Sequence, residues 1–172
     1  ERDVRDAVVS HYYHLKKKYK FIGNFSLYYF FVGRFKAFEI LKFNRMYMES
    51  FGQDNFFKYS DMKNNFELVL SKISSILNLK DLSVKEIMSI KKNTSIAKMR
   101  NDLLLGKSKY YSTVSVDRQG VIRKGVIGDW KGHFSIREQI DVKRLERLDV
   151  SNFFKFIYFF LFTFRRLVFR IE

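Results

Sequence analysis

The chain has 172 residues, 47% of them hydrophobic, with a formal net charge of +15 and neither cysteine nor proline. Enough apolar material is present for a core, which excludes a generally disordered chain. The absent thiols exclude disulfides, thiolate metal sites and cysteine nucleophiles and fit a reducing compartment.

The length suits one domain or a large piece of one. The sequence starts at Glu1 with no initiator Met, which suggests truncation at the amino terminus, so a missing targeting signal carries little weight. The positive charge favours an anionic partner: nucleic acid, anionic lipid or a phosphorylated small molecule. A merely basic, solvated surface stands beside those readings.

In chain order, residues 3–19 read as a helix with Ala7, Val8, Tyr12, Leu15 and Tyr19 on one face. Asp3 or Asp6 suits its start, and Lys16, Lys17 and Lys18 suit its end. Gly23-Asn24 breaks it. Residues 25–50 have a helical period, with Phe31, Phe35, Phe38, Leu41 and Met48 as expected core. After a turn at Gly52–Asn55, Phe56 to Tyr59 is a candidate short strand. Residues 65–79 carry a stripe of Phe66, Val69, Leu70, Ile73, Ile76 and Leu77. Ser83 and Glu86 have capping-box spacing and open a helix to about Lys92. Thr94-Ser95 can cap a short helix bearing Ile96 and Met99. Residues 101–120 read as a polar loop. A last helix covers about 136–148, with Val142, Leu145 and Leu148 on one face.

The terminal stretch from Ser151 to Glu172 shifts abruptly to phenylalanine. Its uncharged run from Phe156 to Phe164 is about half of the ~20 residues that span a bilayer. It reads as an interfacial anchor with Arg165, Arg166 and Arg170 at headgroups, as a core helix, or as an aberrant terminus such as translated non-coding sequence.

The only histidines, His11, His14 and His133, supply too few ligands for a zinc site, so no metal is expected. No catalytic triad can be assembled by inspection, and no glycine loop of the G-x-x-x-x-G-K-[ST] type occurs. Anion chemistry is better represented. Phosphate is held by backbone N–H groups at glycine turns and helix starts, together with Arg or Lys. Arg123-Lys124-Gly125 offers two cations and a residue that lets the backbone approach a ligand. Arg2 at a helix start and the neutral donor Ser10 are further candidates.

Order and spacing sharpen that reading. The run from Arg123 to Ser135, RKGVIGDWKGHFS, contains the sole tryptophan, Trp130. It resembles the carboxy-terminal signature of the cytosolic sulfotransferases, R-K-G-x-x-G-D-W-K-N-x-F-T, and departs from it at Gly132 and Ser135. Arg2 to His14 resembles the family's R-x-x-x-D-x-x-x-S-x-Y segment, Phe30 to Gly33 its F-x-x-G, Lys58 to Asn65 its Y-E-D-M-K block, and Asn93 to Asp102 its T-S-F-x-x-M-K-x-N. The resemblance covers roughly residues 1–150 and the carboxy-terminal half or so of a family member. Residues 151–172 stand outside it.

The resemblance implies an α/β, P-loop-like sulfotransferase fold, represented here by a mainly helical carboxy-terminal fragment with one or two short strands. It implies transfer of a sulfuryl group from 3′-phosphoadenosine 5′-phosphosulfate (PAPS) to a hydroxyl or amine of a small molecule, and a cytoplasmic location. Nucleotide contacts carry over to Arg2, Ser10, Tyr59, Thr94, Ser95, Ile96, Met99, Val121, Ile122, Arg123, Lys124 and Gly125. Among these, Arg2, Ser10, Arg123, Lys124 and Gly125 would hold the 3′-phosphate, and Tyr59 and Thr94 would contact the adenine. Ile96 replaces the family's stacking Phe. The catalytic His and the phosphosulfate loop precede the Arg2 block in the family, so no catalytic residue is assigned and the fragment is expected to be inactive alone. The family's dimer motif K-x-x-x-T-V-x-x-x-E falls on Lys131, Ser135-Ile136 and Ile140, where Ile140 replaces the acid, which leaves a homodimer open. No specific nucleic-acid partner is implied. The alternatives are a basic, non-catalytic polyanion-binding module and a membrane-associated protein held by its tail.

Overall fold

A computed structural model describes residues 1–105 and 125–147. The helices, in chain order, are α1 (Val4–Lys18), α2 (Phe25–Tyr28), α3 (Arg34–Phe51), α4 (Tyr59–Asn64), α5 (Phe66–Ile76), α6 (Val84–Asn93), α7 (Ile96–Leu104) and α8 (Ile136–Arg147). The chain divides into two compact units. One comprises Glu1–Arg2 with Asn55–Ile127, the other Asp3–Asp54 with Gly128–Glu172.

The second unit has an aromatic core. On α1, Val4, Val8, Val9, Tyr12 and Leu15 are buried, and Asp3 caps the helix by accepting the Arg5 N–H. Against them pack Phe25, Tyr28, Tyr29 and Val32, with Phe134, Val142 and Leu145. Tyr12 meets Phe25 edge-on at 5.4 Å, and Phe25 meets Phe134 at 4.9 Å. Buried hydroxyls need partners. That of Tyr12 donates to the Gly23 carbonyl, that of Tyr28 to the Val8 carbonyl, and that of Tyr29 to Asp141, which Arg34 also pairs. Burial, and then the Asp141 charge, push the Tyr29 hydroxyl far above the ordinary tyrosine range.

Two expectations for this unit are revised. Between α2 and α3 the backbone forms a π-turn over Tyr29–Gly33. A π-turn adds one residue and shifts the helical phase. The buried stripe therefore runs Phe25, Tyr28, Tyr29, Val32 and then Ala37. Phe31 is thrown outward, 42% exposed, while Phe38 and Leu41 pack at the margin of the core. Gly33 serves that turn, because a Cβ there would stand 2.8 Å from the Tyr28 ring and 3.2 Å from Val8. Tyr19, expected on the apolar face of α1, is exposed at the helix end.

The first unit is more thinly covered. On α5 only Val69 and Ser74 are fully buried, and the far end of its stripe, Ile76 and Leu77, faces solvent. The helix closes with Asn78 at φ 50, the Leu79 N–H returning to the Ser74 carbonyl and the Asn78 N–H to that of Ser75. The Ser83–Glu86 capping box forms as the spacing predicts. The helix α7 runs to Leu104, into a stretch expected to be loop, because Leu103 is a buried anchor. The remaining expected loop, 106–120, lies outside the described residues.

The expected strand at Phe56–Tyr59 is not formed, and no strand occurs among the described residues. The Glu1 ammonium donates to the Phe57 carbonyl, and the Tyr59 N–H donates to the Glu1 carbonyl at 2.6 Å. That is the bonding of a single parallel rung. One rung does not make a strand, and at Tyr59 the chain turns into α4.

Candidate functional site

Four of the expected nucleotide contacts assemble within the first unit. Tyr59 opens α4 and donates its hydroxyl to the Gly125 carbonyl at 3.3 Å. Gly125 has φ +61, and a Cβ on it would collide with Ile96 Cδ1 and lie 3.2 Å from the Tyr59 hydroxyl. Only glycine satisfies both the backbone angle and the space. Ile96 is therefore the wall against which the signature loop begins. The Arg2 guanidinium stands 5.4 Å from the centroid of the Tyr59 ring, and Lys63 Nζ lies 5.9 Å from it. Two cations around one ring make an electropositive corner.

Arg2 Nε is buried and has no hydrogen-bond partner among the described residues. A buried, unpaired guanidinium N–H is costly, and an anion is the natural group to satisfy it. With Lys63 beside the same ring, that orphaned donor suits the phosphate of a nucleotide.

The other expected contacts have these surroundings. Ser95 caps α7, its hydroxyl accepting the Lys98 N–H at 3.3 Å. Thr94 donates its hydroxyl to the Ile90 carbonyl at 2.8 Å, closing α6. Met99 is exposed on α7. Ser10 belongs to the second unit, half-buried on α1. Val121, Ile122, Arg123 and Lys124 lie outside the described residues.

In the second unit, the downstream part of the signature meets the start of α1. Asp6 is 2% exposed. Its Oδ2 accepts the Gly128 N–H at 2.8 Å and its Oδ1 the Trp130 N–H at 3.0 Å. Gly128 has φ +81 and precedes a 3₁₀ turn over Asp129–Gly132. The Asp6 carboxylate thus satisfies donors that the start of that turn leaves open. Arg5 lies over the Trp130 ring, 3.6 Å from its centroid, and is itself held by Asp3 through Nε at 3.0 Å and Nη2 at 2.6 Å. Burial works to raise the Asp3 carboxyl, but its bonds from the Arg5 side chain and N–H, with the Arg5 charge, leave it below the usual value; the same bond raises Arg5. Trp130 in turn meets Phe134 edge-on at 6.4 Å.

The sequence points to no role for Arg5, and it marks Asp6 as a helix-start acid and as the acid of the R-x-x-x-D-x-x-x-S-x-Y segment without showing what it holds. The signal for Asp6 was an acid on an apolar stripe, three residues before Val9 and six before Tyr12. A buried acid in that place needs donors, and only the tertiary structure supplies their identity.

His11 Nδ1 lies 2.7 Å from the Tyr28 hydroxyl, so the histidine belongs to the core network. No group of three or more His or acidic side chains among the described residues can hold a metal ion. In the dimer-motif positions, Ser135 caps α8 in a reciprocal pair with Glu138, and Ile136 and Ile140 are exposed. No helix among the described residues is long and apolar enough to cross a membrane. The Phe-rich run lies outside them.

Comparison with known proteins decides the relationship. The model of the sulfotransferase domain matches residues 1–149. This chain belongs to the sulfotransferase family. It is 32% identical over 87 residues to human sulfotransferase 2A1, covering 51% of this chain and 30% of that protein. It is 30% identical over 110 residues to the rabbit (Oryctolagus cuniculus) amine sulfotransferase, covering 60% and 35%. It is 30% identical over 149 residues to rat (Rattus norvegicus) sulfotransferase 2A1, covering 80% and 50%. This sulfotransferase chain thus spans half or less of the length of these relatives. No solved structure matches it.

Proposed function

We propose that these residues form the carboxy-terminal share of a PAPS-dependent sulfotransferase, in which the corner of Arg2, Tyr59, Ile96 and Gly125 receives the adenosine 3′-phosphate end of the donor. The observation that carries this reading is the buried Nε of Arg2, which has no partner among the described residues and stands in the unit where Lys63 flanks the same Tyr59 ring. Arg123 and Lys124 precede Gly125 in sequence and add two charges for the phosphate, as in the family's pattern. Ile96 can pack on the adenine but cannot stack as an aromatic ring does, so the base is held by shape more than by π-contact.

The donor, when bound, supplies the sulfuryl group for in-line transfer to a small-molecule hydroxyl or amine. The role of this chain's residues is to bind and orient it, which is the larger part of catalysis in reactions of this type. The family's general-base His and phosphosulfate loop have no counterpart in the 172 residues, which are proposed to bind donor nucleotide without turnover. Ile140 stands where the family's dimer motif has an acid, which leaves a homodimer open.

Calorimetric titration with adenosine 3′,5′-bisphosphate tests the reading. Saturable binding is expected. Removing Arg2 in Arg2→Ala deletes a charged hydrogen bond of about 1.5–3 kcal/mol, roughly tenfold to a hundredfold in affinity. Equal loss of the bisphosphate and of a random oligonucleotide, both with a steep salt dependence, would replace the specific site by general polyanion binding.

A further inference from the structure

We propose that the first turn of α1 clamps the signature loop, with Asp6 and Arg5 as positioning residues that hold its Gly128–Trp130 end while Tyr59 and Ile96 seat its Gly125 end. This rests on the reading of that loop as part of the nucleotide site.

The loop leaves Gly125 in a left-handed conformation and passes through a second one at Gly128. Val126 and Ile127, between these two turns, are exposed and add no buried anchor. The loop's geometry must come from elsewhere. Asp6 supplies it through both carboxylate oxygens, each taking one backbone N–H, from a position 2% exposed where water cannot compete. A carboxylate is suited to this: it is acceptor-only and takes two donors at once. It also lies in the first turn of α1, where the helix dipole favours negative charge.

Arg5 adds a second grip of a different kind. Its guanidinium plane is fixed by two bonds to Asp3, the cap of α1, and presents its face to the Trp130 ring at 3.6 Å. Asp3, Arg5 and Asp6 lie within four residues at the start of α1, so one element makes both contacts. Lys124 and Gly125 lie only four and three residues before Gly128. Slack at Gly128 and Trp130 is passed back along that short run to Gly125, and positional error of this kind is what binding sites tolerate least.

The test uses the whole chain and three readouts: hydrogen exchange of the 126–131 amides, acrylamide quenching of Trp130, the sole tryptophan, and titration with adenosine 3′,5′-bisphosphate. The variant Asp6→Asn keeps the shape but leaves one acceptor oxygen for two donors. The 126–131 amides should exchange about tenfold faster and bisphosphate affinity should fall by about the same factor, with helix content unchanged. Arg5→Ala should make Trp130 more accessible to quencher, and Arg5→Lys, which keeps a cation over the ring, should restore much of the protection. The Arg5 pair stands by itself if Asp6→Asn does not fold. Wild-type binding that Asp6→Asn and Arg5→Ala leave unchanged overturns the clamp and spares the nucleotide reading. Failure of the wild-type chain to bind sinks the nucleotide reading first, and with it any positioning role.

Discussion

Replacing Gly125 with alanine should damage the site by two separable routes. Its φ of +61 is a region that a residue with a Cβ occupies at a cost of roughly 1–2 kcal/mol. The new Cβ would also run into Ile96 Cδ1, and overpacking of this kind costs about 1–3 kcal/mol more. If the site must regain its native form to bind, the sum of about 2–5 kcal/mol weakens adenosine 3′,5′-bisphosphate by some thirtyfold to several thousandfold. Gly128→Ala is the internal control. Its φ is +81, but the nearest atom to a Cβ is Lys131 Cε at 3.8 Å, so only the backbone penalty applies. In thermal melting, where the adenine contact of Ile96 plays no part, Gly125→Ala/Ile96→Ala should recover the collision share and leave the backbone share. Calorimetry and thermal melting of the four chains measure both. If Gly125→Ala loses no more than Gly128→Ala, or if the Ile96 change gives no recovery, the crowding around Gly125 is not what the loop depends on.

Two further outcomes follow from the helix starts. Asp3 has its pKa depressed below the ordinary 3.8 by its bonds to Arg5, against the effect of burial. Its contribution is therefore full above the unfolded value and is lost as pH falls through the folded one. Melting temperature of the wild-type chain should drop more steeply below about pH 4 than that of Asp3→Asn, and parallel curves would contradict the Asp3–Arg5 pairing. At the start of α6, Ser83→Ala removes the hydroxyl that accepts the Glu86 N–H. It should cost about 1 kcal/mol in chemical denaturation of a chain that otherwise unfolds alike, and a cost near zero would mean that α6 does not need its cap.

Local features were legible because they depend on neighbours in the chain. The capping box at Ser83 and Glu86, the Asp3 start of α1, and the buried Val142 and Leu145 of α8 all follow from spacing of three or four residues. The signature from Arg123 to Ser135 was legible as order and identity, which is enough to point to a family. Tertiary structure decided whatever depends on an extra residue or a distant partner. The π-turn at Tyr29–Gly33 shifts the phase, so a periodic reading placed Phe31 inside and missed Ala37. The segment at Phe56 reads as a strand because it is an apolar run, but a strand also needs a pairing partner, and among the described residues one rung of pairing is present. Asp6 is the sharpest case. Its acid on an apolar stripe is visible in the chain, but a carboxylate's value lies in the donors it meets, and Gly128 and Trp130 lie more than a hundred residues away. Spacing along a chain encodes the face a residue takes; only folding brings the two ends of that bond within 3 Å.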